Sequence, residues 1–264
     1  MLKEYAKSIV FDYSYKYFYL DGYGKDFSVL NVRNVRETND FQEGMFVANL
    51  LSFYEQLLVY EQNKDLVKKY NIEKPLWIFV GTTVSEEESD IIQIVRFIKK
   101  IIEDEAWLRK WIDNILGSNT GLTDENGKDV FEGKFKYIRE KGIDLKDIYE
   151  RIFGGKAKLN LYEIKNAEGE IGLKVGENDY FGVINIGNVS GFKRLLEGEG
   201  VSVEQDVISG SLFDKIKEES SKINILIGSR KFIEGWDTWR VSSMGLLNMG
   251  TGQGPQKYSY LEEG

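Results

Sequence analysis

The sequence predicts an α/β fold built on a mainly parallel sheet with helices on both faces. Three observations predict it. Leu76-Trp77-Ile78-Phe79-Val80, Phe181 to Gly187 and Ile223-Asn224-Ile225-Leu226-Ile227-Gly228 are strand-length runs that are nearly all apolar. A strand covered on both faces has no polar side to show, so it reads as a run and not as an alternation. Amphipathic helical stretches follow such runs, which is the order a parallel sheet needs for its crossovers. Finally, the 264 residues are 42% apolar and 30% charged and contain two prolines, a composition with enough apolar surface for one large core.

Taken in order, residues 8–36 hold aromatic, strand-like pieces, Ile9-Val10-Phe11 and Tyr17-Phe18-Tyr19, around a turn at Asp21-Gly22-Tyr23-Gly24. Residues 41–70 read as helix, because Phe46, Val47, Leu50, Leu51, Tyr54, Leu57 and Leu58 recur at helical spacing. After the strand that follows Pro75, Ser89-Asp90 caps a long helix over 90–115. Gly117 to Gly133 is a polar, glycine-rich loop, and Asp144 to Phe153 a short helix. Leu159 to Ile164 and Ile171 to Val175 flank Asn166-Ala167-Glu168-Gly169 as a hairpin, so 117–178 reads as an insertion. The α/β rhythm resumes with the strand at Phe181, a helix from Ser190 to Gly198, a helix from Leu212 to Ser220, the strand at Ile223 and a last strand at Met244-Gly245-Leu246-Leu247-Asn248.

Composition narrows the chemistry. There is no Cys and no His, which removes disulfides, thiolate nucleophiles, Cys/His zinc sites and every triad that needs a histidine. Thirty-five Lys and Arg against 43 Asp and Glu give a net charge of −8, which excludes a uniformly basic nucleic-acid coat but leaves room for a local basic strip. No apolar stretch reaches membrane-spanning length and no signal core opens the chain, so a cytoplasmic location and no membrane partner are expected.

Beyond the Ile223 strand comes Gly228-Ser229-Arg230-Lys231-Phe232-Ile233-Glu234-Gly235-Trp236-Asp237. In open α/β sheets ligands sit outside the carboxyl ends of strands, so Ser229, Arg230 and Lys231 stand where phosphate-binding groups would. A capped helix start with solvated charges would look the same. Phe232 to Asp237, followed by Trp239-Arg240-Val241-Ser242-Ser243-Met244-Gly245-Leu246-Leu247-Asn248, closely resembles motif V and its following strand in the superfamily-two DEAD/DEAH-box helicases of the type III restriction enzyme Res-subunit kind. Pro75 to Gly81 is similar to that family's motif IV strand. Phe181 to Gly187 and Ser211-Leu212-Phe213 are similar to parts of its second motor domain. Tyr13 to Phe18 with Asp21 to Asp26 resembles the exit from its first.

The resemblance implies a RecA-like fold: residues 1–72 as a helical N-terminal segment leaving the first motor domain, and 73–264 as a truncated second RecA-like domain interrupted by the insertion of about 117–178. It implies a fragment of an ATP-dependent DNA helicase or translocase of a restriction-modification system. Ser229 would contact a nucleic-acid phosphate, Gly235 would allow close backbone approach, and Asp237, with Gly235, would line the nucleotide cleft. Arg230, Lys231 and Arg240 are added as phosphate-facing charges on their own chemistry. The implied partners are DNA, the missing first motor domain and a modification methyltransferase subunit. ATP and Mg²⁺ are implied for the intact parent, with no cofactor and no metal expected for this chain alone.

Several motor parts are missing. No G-x-x-x-x-G-K-[ST] cradle occurs, and Gly121 to Gly127-Lys128-Asp129 has the wrong spacing and an Asp where the Mg²⁺-binding hydroxyl belongs. Asp104-Glu105-Ala106-Trp107 spells an acidic box but falls inside the expected helix of 90–115, not at a strand end. The tail Lys257-Tyr258-Ser259-Tyr260-Leu261-Glu262-Glu263-Gly264 stands where motif VI should be, and one codon choice for it, read two bases later, spells Ile-Gln-Leu-Phe-Gly-Arg-Gly. A frameshifted, truncated product is therefore expected. An arginine finger contributes about 10³–10⁵ in rate, so no ATP hydrolysis and no catalytic residue are expected for this chain alone. Two other classes stay open: a non-catalytic nucleic-acid-binding or subunit-contact module, and a Mg²⁺-dependent nuclease resting on Glu163-Ile164-Lys165 at a strand end.

Overall fold

The strand that follows Pro75, β1 (Leu76–Gly81), is buried along its whole length. Its side chains divide by the two-residue period of a strand. Trp77 and Phe79 enter the larger core, and Leu76, Ile78 and Val80 enter a smaller one on the other face. Ile225 and Ile227 against Leu226, on β6 (Ile225–Ser229), divide the same way. This is why both segments read as unbroken apolar runs.

The computed structural model describes residues 13–22, 39–81, 90–187, 189–229 and 238–246. The chain is α/β, with helices on both sides of a seven-stranded mixed sheet. In chain order the elements are α1 (Tyr15–Leu20), α2 (Asn39–Gln62), α3 (Lys64–Val67) and β1; then α4 (Asp90–Glu103), α5 (Glu105–Leu116), α6 (Lys136–Lys141) and α7 (Leu145–Ile148). There follow β2 (Leu159–Ile164), β3 (Glu170–Val175), β4 (Gly182–Asn185), α8 (Val189–Gly198), β5 (Val203–Asp206), a 3₁₀ helix at Asp214–Lys217, β6 and β7 (Val241–Leu246). The sheet order is β5-β2-β3-β4-β6-β1-β7. β4, β6, β1 and β7 are mutually parallel, and β3 alone runs against the other strands.

Several expectations are corrected here. The hairpin β2–β3 is not set apart from the sheet: β3 pairs with β4, and Leu161, Ile171 and Leu173 join the main core. Val47, Leu50, Leu51, Phe53 and Leu57 of α2, in the segment 1–72, share one cluster with Trp77 and Phe79. Phe53 stacks on Trp77 at 5.6 Å, and the Trp77 indole donates to Asn49 Oδ1 at 2.9 Å. Gly44 lets α2 approach α5 closely, since a Cβ there would lie 2.9 Å from the Trp111 ring.

The helix expected over 90–115 is two helices. Asp104 leaves helical geometry and caps α5, its carboxylate accepting from Trp107 N at 3.0 Å. The stretch Leu212 to Ser220 forms only the 3₁₀ helix. Tyr17-Phe18-Tyr19, expected as strand, is helical in α1. The helices lie unequally on the two faces: the main core holds residues of α2, α4, α5, α6, α7 and α8, whereas Leu212 and Ile216 of the 3₁₀ segment cover the thinner side. Among the described residues, no helix is long and apolar enough to cross a membrane.

Candidate functional site

Three parallel strands end together at the carboxyl edge of the sheet. Ser229, the last residue of β6, is in register with Gly81 at the end of β1, and Gly228 is in register with Asn185 at the end of β4. The apolar cores on both faces fix β6 between its neighbours, and so fix where the chain leaves the sheet after Ser229. Arg230, Lys231, Gly235 and Asp237 lie outside the described residues, so the structure places only Ser229 of the run that the sequence singles out.

The carboxyl edge also carries a residue that sequence reasoning passed over. Asp90 is fully buried at the start of α4, and a Cβ on Gly81 would come within 2.7 Å of Asp90 Cβ. The glycine is therefore what lets β1 end against the amino terminus of α4. A carboxylate there is favoured by the helix dipole. Its burial, invisible in a sequence that reads it as a cap, is what marks it out.

Arg240 corrects the sequence reading. It precedes β7 at the opposite, amino-terminal edge, where its carbonyl accepts from Leu76 N at 2.7 Å. Six-residue strands separate the two edges by roughly 17 Å. Arg240 is 3% exposed, and its guanidinium donates to the carbonyls of Lys74 (2.9 Å), Ile216 (2.6 Å) and Ile223 (2.8 Å). Burial pushes it down to about 10. It ties the entries to β1, β6 and β7 to the 3₁₀ helix, and it has no donor directed at a phosphate on the edge where Ser229 sits.

The remaining candidates are held by their own neighbours. Glu163 accepts from Lys165 at 2.6 Å and Lys193 at 2.9 Å, and these two ammonium groups, Lys165 first, hold its carboxyl below the usual range. Among the described residues no group of three or more acidic side chains could hold a metal ion. The glycine-rich loop around Gly121 to Asp129 is organised by its own carboxylates. Asp129 accepts from Thr120 N and Phe131 N, and Asp124 from Asn126 N and Lys128 N. Arg139 fastens this loop by donating to the carbonyls of Leu116, Ile115 and Phe131.

Two further carboxylates shape the sheet. Glu170, nearly buried, accepts from Ser211 Oγ (2.7 Å), Leu212 N (2.7 Å) and Phe213 N (3.2 Å). Asp206 accepts from Ile208 N, Ser209 N and Tyr180 Oη. Burial draws the Asp206 carboxyl upward, but the bonds from Ser209 and Tyr180 outweigh it and hold the group well below the usual carboxylate range. No protein-family model, curated protein or solved structure matches the chain.

Proposed function

We propose that this chain is the second half of a nucleic-acid motor of the DEAD/DEAH-box, type III restriction kind, supplying a backbone grip and one wall of a nucleotide cleft. One observation carries the reading. The segment that resembles motif IV, β1, lies parallel beside β6, the strand that leads into the motif V-like run, and the two end together at Gly81 and Ser229. A strand end in the middle of a parallel sheet is where ligands of open α/β folds collect. In this reading Ser229, Arg230 and Lys231 grip DNA phosphates, while Gly235 and Asp237 face the nucleotide. In this reading ATP and Mg²⁺ are held mainly by a first motor domain, so residues 1–264 by themselves do not turn over ATP.

Binding of the full chain to a labelled single-stranded oligonucleotide, followed against salt, tests the proposal. The triple variant S229A/R230A/K231A should bind more weakly and reduce the salt slope by about one to two. Unchanged affinity and slope in that variant would overturn the grip, and ATP hydrolysis by the pure chain would overturn the division of labour. A second reading, a subunit-contact module, is favoured by α1, where Tyr15, Tyr17, Phe18, Tyr19 and Leu20 are all exposed.

A further inference from the structure

At the amino-terminal edge of the sheet, the end of α2, α3, the entries to β1 and β7 and the turn after the 3₁₀ helix enclose a cavity of about 490 Å³. That is within the range of small-ligand sites, roughly 300–1,000 Å³. The chain carries a net charge of −8, yet this cavity is lined by five cationic side chains against three carboxylates. One of those carboxylates, Glu219, is already paired with Lys68 at 3.8 Å. Lys64, Lys74 and Lys217 make no ion pair and no side-chain hydrogen bond among the described residues. Lys74 is half-buried, and burial, with Arg240 and Lys222 adding repulsion, pushes its ammonium down to about 8. A concave site with unmatched positive charge is one that an anion would relieve. Trp239 stands on the rim with 76% of its surface exposed. An exposed indole beside unpaired ammonium groups combines the two elements by which proteins hold a nucleotide, a stacking platform for the base and cations for its phosphate.

We propose that this cavity binds a nucleotide unit, with its phosphate among Lys64, Lys74 and Lys217 and its base stacked on Trp239. The unit would come from a free mononucleotide or from a single strand. The site lies on the opposite edge of the sheet from Ser229 and does not rest on the motor reading. Arg240 forms part of the wall and contributes position, since its donors are spent on carbonyls.

The test titrates the full chain with three probes: inorganic phosphate, AMP and a twelve-residue oligothymidylate. Parent, K74M/K217M and W239A are compared, each first checked for cooperative unfolding with a midpoint no lower than the parent's. Trp239 is exposed, so W239A keeps the test usable even where the double variant folds poorly. Binding of AMP or the oligonucleotide that falls at least tenfold in both variants supports the site. AMP binding without oligonucleotide binding assigns a free nucleotide, and oligonucleotide binding with AMP competing weakly assigns a strand. Parent-like affinity in W239A, binding of phosphate as tight as AMP, or no binding of any probe would each overturn the proposal.

Discussion

Arg240→Met removes a guanidinium whose three short bonds end on the carbonyls of Lys74, Ile216 and Ile223. Each such charge-assisted bond contributes about 1.5–3 kcal/mol, and the orphaned carbonyls would have little water to turn to. Against this stands the cost of burying the charge. Its fall from 12.5 to about 10 corresponds to about 3 kcal/mol, which methionine would not carry. The net expectation is a loss of about 2–5 kcal/mol, a large part of the 5–15 kcal/mol that holds a typical domain. Arg240→Lys keeps the charge but presents a single ammonium to three carbonyls in different directions, so it should fall between parent and methionine. Urea unfolding followed by tryptophan fluorescence gives the difference directly, because Trp77 is wholly buried in the core. A methionine variant within about 0.5 kcal/mol of the parent would refute the reasoning. It would mean that the guanidinium is free for another partner.

Glu170→Ala should cost about 2–4 kcal/mol, since it orphans the backbone donors of Leu212 and Phe213, whereas Glu170→Gln should cost about 1 kcal/mol; equal unfolding midpoints for the two would count against the role given to this carboxylate. Lys74 supplies a pH signature. Its folded value of about 8 lies below the ordinary 10.5, so the burial cost is fully present below pH 8 and is relieved as pH rises from 8 towards 10.5. Lys74→Met should therefore be more stable than the parent at pH 7, with an advantage that shrinks by pH 10; an advantage independent of pH would contradict it.

The sheet's middle was legible and its margin was not. β1 and β6 announce themselves because both faces are covered, which forces apolar residues at every position. Val203-Glu204-Gln205-Asp206 forms the edge strand β5 with two exposed residues in its centre, so nothing in its composition demands a strand. Its place comes from pairing with β2, a contact between segments about forty residues apart. The turn of the β2–β3 hairpin was readable from Asn166 to Gly169, because Gly169 adopts φ +85° and a Cβ there would meet the Ile186 carbonyl at 2.6 Å. That the hairpin would be built into the sheet between β5 and β4 was not readable, since its register with β4 is a tertiary choice.

Sites follow the same division. A strand end is a local property, and Ser229 could be placed at one from the apolar run before it. Arg240 stands only eleven positions further on, and adjacency in sequence suggested a shared role. The chain between them must return from the carboxyl edge to the amino-terminal edge before β7 can run parallel to β1, as the pairing of Leu76 with Val241 requires. A parallel neighbour thus carries the second half of a motif to the far side of the sheet. Ser229 and Arg240 therefore stand on opposite edges of the sheet, and variants at the two edges should act independently. Combining S229A/R230A/K231A with W239A tests this: if the two edges are separate, their effects on unfolding free energy should add to within about 0.5 kcal/mol, whereas strong coupling would place Trp239 and the Ser229 edge in one site.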